Sequence, residues 1–194
     1  MKTIRVSLIS LASLAVLNLA TLPAACAQDF AAEIDEFVSA GQAPHVTQVY
    51  AGHGMRRIES SWDGNITLVD LNKETVSIFN NRHPGVIQVP LKNLGDATKA
   101  LLAGVNPCNV TYVSGHMGSS TCKKVGEEEV NGRSAEKYEI SMTMGSMTTT
   151  WHDWIDVSLR IPVKNELNGK TGLEVRNLRE TPQPANLFEL PAGH

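Results

Sequence analysis

A mainly β fold of the α+β class, a strongly bent antiparallel sheet or open barrel carrying two short helices, is what this sequence predicts. Three observations carry that expectation. Residues 137–144 alternate without a miss, with Tyr138, Ile140, Met142 and Met144 apolar and their neighbours polar, which is the period of a half-buried strand. About eight or nine such short runs follow one another without the regular helix–strand alternation of a parallel sheet. Asn131-Gly132 joins two of them, and that dipeptide tolerates the positive φ angles of a two-residue hairpin turn.

The chain opens with Lys2 and Arg5, an apolar run from Val6 to Leu22, and then small residues. That order is a secretory signal peptide. Ala25-Cys26-Ala27 supplies the small side chains of a cleavage site, so residues 1–27 are expected to be removed and residues 28–194 to form a single domain in the periplasm. An alternative retains Cys26 as a lipid-anchored N-terminus, although Pro23 stands where such signals normally carry an aliphatic residue. Loss of Lys2 and Arg5 takes the basic count from 17 to 15 against 20 acidic residues, a net charge of −5. An acidic chain without a basic cluster is not a nucleic-acid binder.

Beyond the signal, Phe30, Ile34, Phe37 and Val38 fall at helical spacing with acids early and Gly41 at the end, which predicts a short amphipathic helix over 30–38. Leu91, Leu94, Leu101 and Leu102, stopped by Gly104 and Pro107, predict a second over 91–103. Strands are expected at 56–62, 65–71, 75–79, 110–113, 137–144, 148–155, 160–165 and 173–178, separated by turn signals such as Asp63-Gly64, Asn72-Lys73 and Asn168-Gly169. Removal of Cys26 would leave Cys108 and Cys122. An even pair in an oxidising compartment predicts one disulfide, because thirteen intervening residues do not fit the close spacing of a metal or redox pair.

The stretch from Cys122 through Val125-Gly126, Glu128, Val130-Asn131-Gly132 and Lys137-Tyr138 resembles a hairpin of bacterial envelope proteins in the LolA-like, outer-membrane lipoprotein-sorting superfamily. Trp154-Ile155-Asp156 with Leu159-Arg160-Ile161-Pro162-Val163-Lys164 is similar to the strand pair that follows, and Leu187-Phe188-Glu189-Leu190-Pro191-Ala192-Gly193 to the C-terminal ending. The resemblance implies a half-open β-barrel whose open side is covered by one or two helices and whose apolar interior holds a lipid or a lipoprotein acyl chain. A monomer is expected, with peripheral membrane contact and an envelope protein as further partners.

The residues that would line such an interior are Tyr138, Ile140, Met142 and Met144 on one strand, joined by Trp154. Met side chains conform readily to variable apolar ligands. Met142, Met144 and Met147, with His152 nearby, also admit a Cu(I)-binding reading, since thioethers and imidazoles suit that ion; packing on the strand face is the plainer account. His152-Asp153 are strand neighbours that point to opposite faces, so they do not form a base and its orienting acid. No phosphate loop, dinucleotide fingerprint, nucleophile elbow or zinc-protease motif occurs. The expectation is a binding or carrier protein without catalytic residues or cofactor, with a structural or interaction module of the envelope as the alternative.

Overall fold

A computed structural model describes residues 28–38, 42–80, 82–94, 106–109 and 118–191. The expected signal peptide, the expected strand at 110–113 and most of the expected second helix lie outside these residues.

The described chain forms one antiparallel sheet of eleven strands: β1 (Phe30–Glu36), β2 (His45–Gly52), β3 (Met55–Ser60), β4 (Asn65–Asp70), β5 (Thr75–Asn80), β6 (His83–Pro90), β7 (Ser119–Val130), β8 (Arg133–Met144), β9 (Met147–Asp156), β10 (Pro162–Leu167) and β11 (Lys170–Arg179). Their order is β6-β5-β4-β3-β2-β1-β11-β10-β9-β8-β7. Two meanders, β1 to β6 and β7 to β11, are therefore spliced where β1 pairs with β11. Among the described residues β6 and β7 are the two edges of the sheet and do not pair with each other, so the sheet is not closed.

Hairpin turns carry the sequence signals expected of them. At His53-Gly54, Asn131-Gly132 and Asn168-Gly169 both central residues have positive φ, as the type I′ turn demands, while Gly145 alone does so between β8 and β9. The strands at 45–52 and 83–90 were not anticipated. β6 carries Pro84, Gly85 and Pro90, which mask its alternation and are tolerated because β6 is an edge.

The covering helices are the main correction. Residues 30–36 form β1, the strand at the splice, rather than a helix. Phe30, Ala32 and Ile34 satisfy a period of two as well as Phe30 and Ile34 satisfy a helical one. Neighbours on both sides settle the choice: β2 pairs along the whole segment, and β11 pairs with it on the other edge apart from an irregularity between Ala31 and Glu33. Phe37 and Val38, which the helical pattern counted as core, are exposed beyond the strand end. At 91–103 the described part is a single 3₁₀ turn, Leu91–Asn93. Among the described residues the other helical pieces are 3₁₀ turns at Pro107–Asn109 and Ala185–Phe188, and no helix is long and apolar enough to cross a membrane.

The largest core gathers around the splice. Phe30 and Ala32 of β1 and Val49 and Ala51 of β2 pack with Val163 of β10, Val175 of β11 and, from the rest of the second meander, Val130, Ala135, Trp154, Leu159 and Ile161. Burying each large side chain contributes roughly 1.5–3 kcal/mol. Contact between the β7–β8 turn and β11 shows how strongly the sheet curls: Asn131 Nδ2 donates to the Val175 carbonyl oxygen at 2.9 Å.

Candidate functional site

In the β8–β9 ladder, Tyr138 stands opposite Asp153, Ile140 opposite Trp151, Met142 opposite Thr149 and Met144 opposite Met147. Directly opposed residues share a face, so the four predicted wall residues of β8 lie together with Trp151. Trp154 is opposite Lys137 and belongs to the other face. The five residues singled out from sequence are thus divided, four and one.

Depth along the wall is uneven. Tyr138 and Ile140 are buried beneath the chain around Cys108, which the disulfide to Cys122 holds against the sheet at a Cα separation of 5.1 Å. Met142 is half-buried and Met144 is exposed. Beside the buried end the Glu136 carboxylate accepts from Lys124 Nζ at 2.8 Å, from the Tyr138 hydroxyl at 2.8 Å and from Arg160 Nη1 at 2.9 Å. Those three donors, Lys124 foremost, hold its pKa down at about 2. Asn106 Nδ2 in turn donates to the Tyr138 oxygen at 3.2 Å, which ties the disulfide segment to the same network. Burial raises Asp153, whose carboxylate accepts from Asn165 Nδ2 at 2.6 Å.

Trp154 is a packing residue with a charged casing. The Lys137 and Lys164 ammonium groups lie 4.5 Å and 4.8 Å from the centre of its indole, and its Nε1 donates to Glu128 at 2.8 Å. Adjacent His152 faces Glu139 across the ladder while Asp153 faces Tyr138, which keeps the pair on opposite sides. Among the described residues no group of three His, Cys, Asp or Glu side chains could hold a metal ion.

Sequence reasoning missed a second surface, on the other meander. Registers through β3, β4, β5 and β6 stack side chains in rows on one face: Met55, Asp70 and Thr75; then Arg57, Leu68, Ser77 and Gln88; then Glu59, Ile66, Phe79 and Val86. The C-terminal segment crosses this face. Phe188 and Leu187 pack on Ile66, Leu68 and Phe79, Arg57 Nη1 donates to the Leu187 carbonyl oxygen at 2.9 Å, and His53 Nε2 donates to the Gln183 carbonyl oxygen at 2.9 Å. Between the segment and the first two rows lies a cleft of about 440 Å³, bounded by Met55, Leu68, Thr75, Ser77, Phe188 and Leu190 among others. A second cavity, of about 320 Å³, sits under the β7–β8 turn between Val130, Arg133, Val163 and Leu178. The ending around Phe188 was visible in the sequence as a motif, but its docking place depends on rows assembled from four strands.

No protein-family model and no curated protein matches the chain. Its fold is similar to part of PNGF-II. That likeness covers 84% of this chain and 30% of the other, at 10% identity and a TM-score of 0.51, so the chain spans about a third of PNGF-II and the likeness concerns fold alone. Weaker overlays are found with MucB in its complex with MucA(peri), at 12% identity, TM-score 0.42 and coverage of 87% and 55%, and with a DUF1329 family protein from Desulfovibrio piger, at 12%, 0.31 and coverage of 84% and 88%. The open antiparallel sheet agrees with the half-open architecture that the LolA-like hairpin implied, without the covering helices among the described residues.

Proposed function

We propose that the protein is a non-catalytic binding module of the bacterial periplasm that holds an apolar chain, a lipid or a lipoprotein acyl chain, against its curved sheet. The observation that carries this reading is the cleft of about 440 Å³ between the C-terminal segment and β3–β6. Its volume lies in the range of small-ligand sites. Met55, Leu68, Phe188 and Leu190 supply an apolar lining, and Asp70, Lys73, Thr75, Ser77 and Gln88 a polar border for a head group. Each buried CH₂ contributes about 0.8 kcal/mol, enough for useful affinity without covalent chemistry. The signal-peptide pattern expected over residues 1–27 supports an envelope role.

Organic extraction of the purified protein followed by mass spectrometry, together with titration of a fluorescent fatty-acid probe, tests the reading. Co-purified lipid and saturable probe binding that Leu68→Arg abolishes are expected. Absence of both lipid and probe binding overturns it.

A second reading, a docking module for another envelope protein, is favoured by the β6 edge. That strand has no Lys, Arg, Asp or Glu, and Ile87 on it is 66% exposed, whereas the opposite edge β7 is guarded by Lys123, Lys124 and Glu127-Glu128-Glu129. A photo-crosslinking residue at position 87 that yields a discrete protein adduct in cells, with no lipid in the extract, selects this reading over the first.

A further inference from the structure

The tip of the β8–β9 hairpin has a composition that packing does not explain. From Ser141 to Thr150 it contains only Ser, Thr, Gly and Met. Burial of the Tyr138 face ends at Ile140, yet the face continues as Met142, half-buried, Met144, 45% exposed, and Met147, 71% exposed. A strand that extended its core would use these positions for residues under cover. A membrane-seeking tip would combine aromatic or branched aliphatic side chains with Lys or Arg, and none is present in this stretch.

Register brings the three thioethers to one face. Met144 is directly opposite Met147 across the Gly145-Ser146 turn, which sets their Cα atoms about 5.5 Å apart or closer. Met142 lies on the same face two residues back along β8, a rise of about 7 Å. Three flexible side chains from these positions can converge on a common point. The opposite face is stiffened by paired hydroxyls, Ser141 with Thr150 at 2.7 Å and Thr143 with Thr148 at 3.0 Å, so the thioethers are presented from a braced ladder. Cys108 and Cys122 are joined to each other and offer no competing thiolate.

We propose that Met142, Met144 and Met147 form a thioether site for a soft monovalent ion, Cu(I), at the hairpin tip. Thioether ligands select Cu(I) over the harder divalent ions. The inference is independent of the apolar-chain reading, which concerns the opposite meander.

The test is anaerobic titration of the purified full-length protein with Cu(I) against a chromophoric Cu(I) chelator, after free thiols are blocked with N-ethylmaleimide. The comparison is the triple variant Met142→Leu, Met144→Leu, Met147→Leu, which keeps side-chain volume and is checked for an unchanged melting temperature. Expected are withdrawal of one Cu(I) equivalent by the wild type, its loss in the variant, and Ag(I)-induced shifts in the ¹³C-methyl resonances of these three residues. Equal Cu(I) retention by both proteins overturns the proposal. So does a wild type that takes no Cu(I) but sediments with anionic lipid vesicles, which would make the tip a membrane contact.

Discussion

The buried Asp156 carboxylate holds the Arg133 guanidinium, with Nε 2.5 Å from Oδ2, although the two residues are 23 apart in sequence. Its other oxygen accepts from the backbone N–H groups of Ser158 and Leu159, at 2.8 Å and 2.7 Å, and so shapes the turn into β10. Arg133 also reaches Glu180. One carboxylate therefore joins the start of β8, the end of β9 and the chain beyond β11. Asp156→Ala leaves the half-buried Arg133 with Glu180 as its remaining carboxylate and two turn N–H groups without an acceptor. Urea unfolding should show a loss of about 3 kcal/mol, the usual cost of breaking a buried pair from one side. Arg133→Met leaves the more deeply buried Asp156 carboxylate without its cation, though with its two backbone donors, and should cost a comparable amount.

Acid should weaken the fold through Glu136. A free Glu titrates near ~4.3, whereas Glu136 in the fold titrates at about 2, because Lys124, Tyr138 and Arg160 all donate to it. The unfolded state therefore binds this proton first as pH falls. Its contribution to stability is complete above pH ~4.5 and disappears as pH drops through 2. Glu136→Gln should lower stability at neutral pH by up to ~3 kcal/mol and flatten the acid limb between pH ~4.5 and ~2. Chemical denaturation of both proteins across that range provides the check, and parallel curves would contradict it.

Reduction should loosen one end of the β7–β9 region. The Cys108–Cys122 bridge closes a separation of 14 residues and lies over Tyr138 and Ile140. A loop of that size gains about 3 kcal/mol from cross-linking in the chain-entropy model. Dithiothreitol, or Cys108→Ser with Cys122→Ser, should lower the melting temperature accordingly. Hydrogen exchange should accelerate at Tyr138 and Ile140 more than at Val69 and Val76, which are buried in the other meander.

The three tryptophans should rank by environment. Trp154 is buried between two lysines, Trp151 is half-buried on the wall of β9, and Trp62 is exposed against His45. Trp154→Ala should cost about 4 kcal/mol, Trp151→Ala less, and Trp62→Ala within about 0.5 kcal/mol of nothing. Thermal melts of the three variants measure the order. A Trp62→Ala loss as large as that of Trp154→Ala would contradict the burial pattern.

Sequence by itself determined what local rules can decide. Asn131-Gly132 and Asn168-Gly169 were legible as hairpin turns because positive φ is a property of two residues. The face from Tyr138 to Met144 was legible because strand alternation is strict. The pairing of Cys108 with Cys122 was legible because an even pair is left once Cys26 is set aside with the expected signal peptide. Tertiary structure decided everything that needed a partner. Residues 30–36 satisfy both periods, and only pairing to β2 and to β11, which begins at Lys170, made them a strand. Ladder register set Trp154 apart from the Tyr138 wall, since position along one strand does not say which residue stands opposite. The cleft beside Phe188 needed four strands in register before the C-terminal segment had a surface to cross. Periodicity and turn chemistry act over a few residues, whereas burial is set by neighbours contributed from the whole length of the chain.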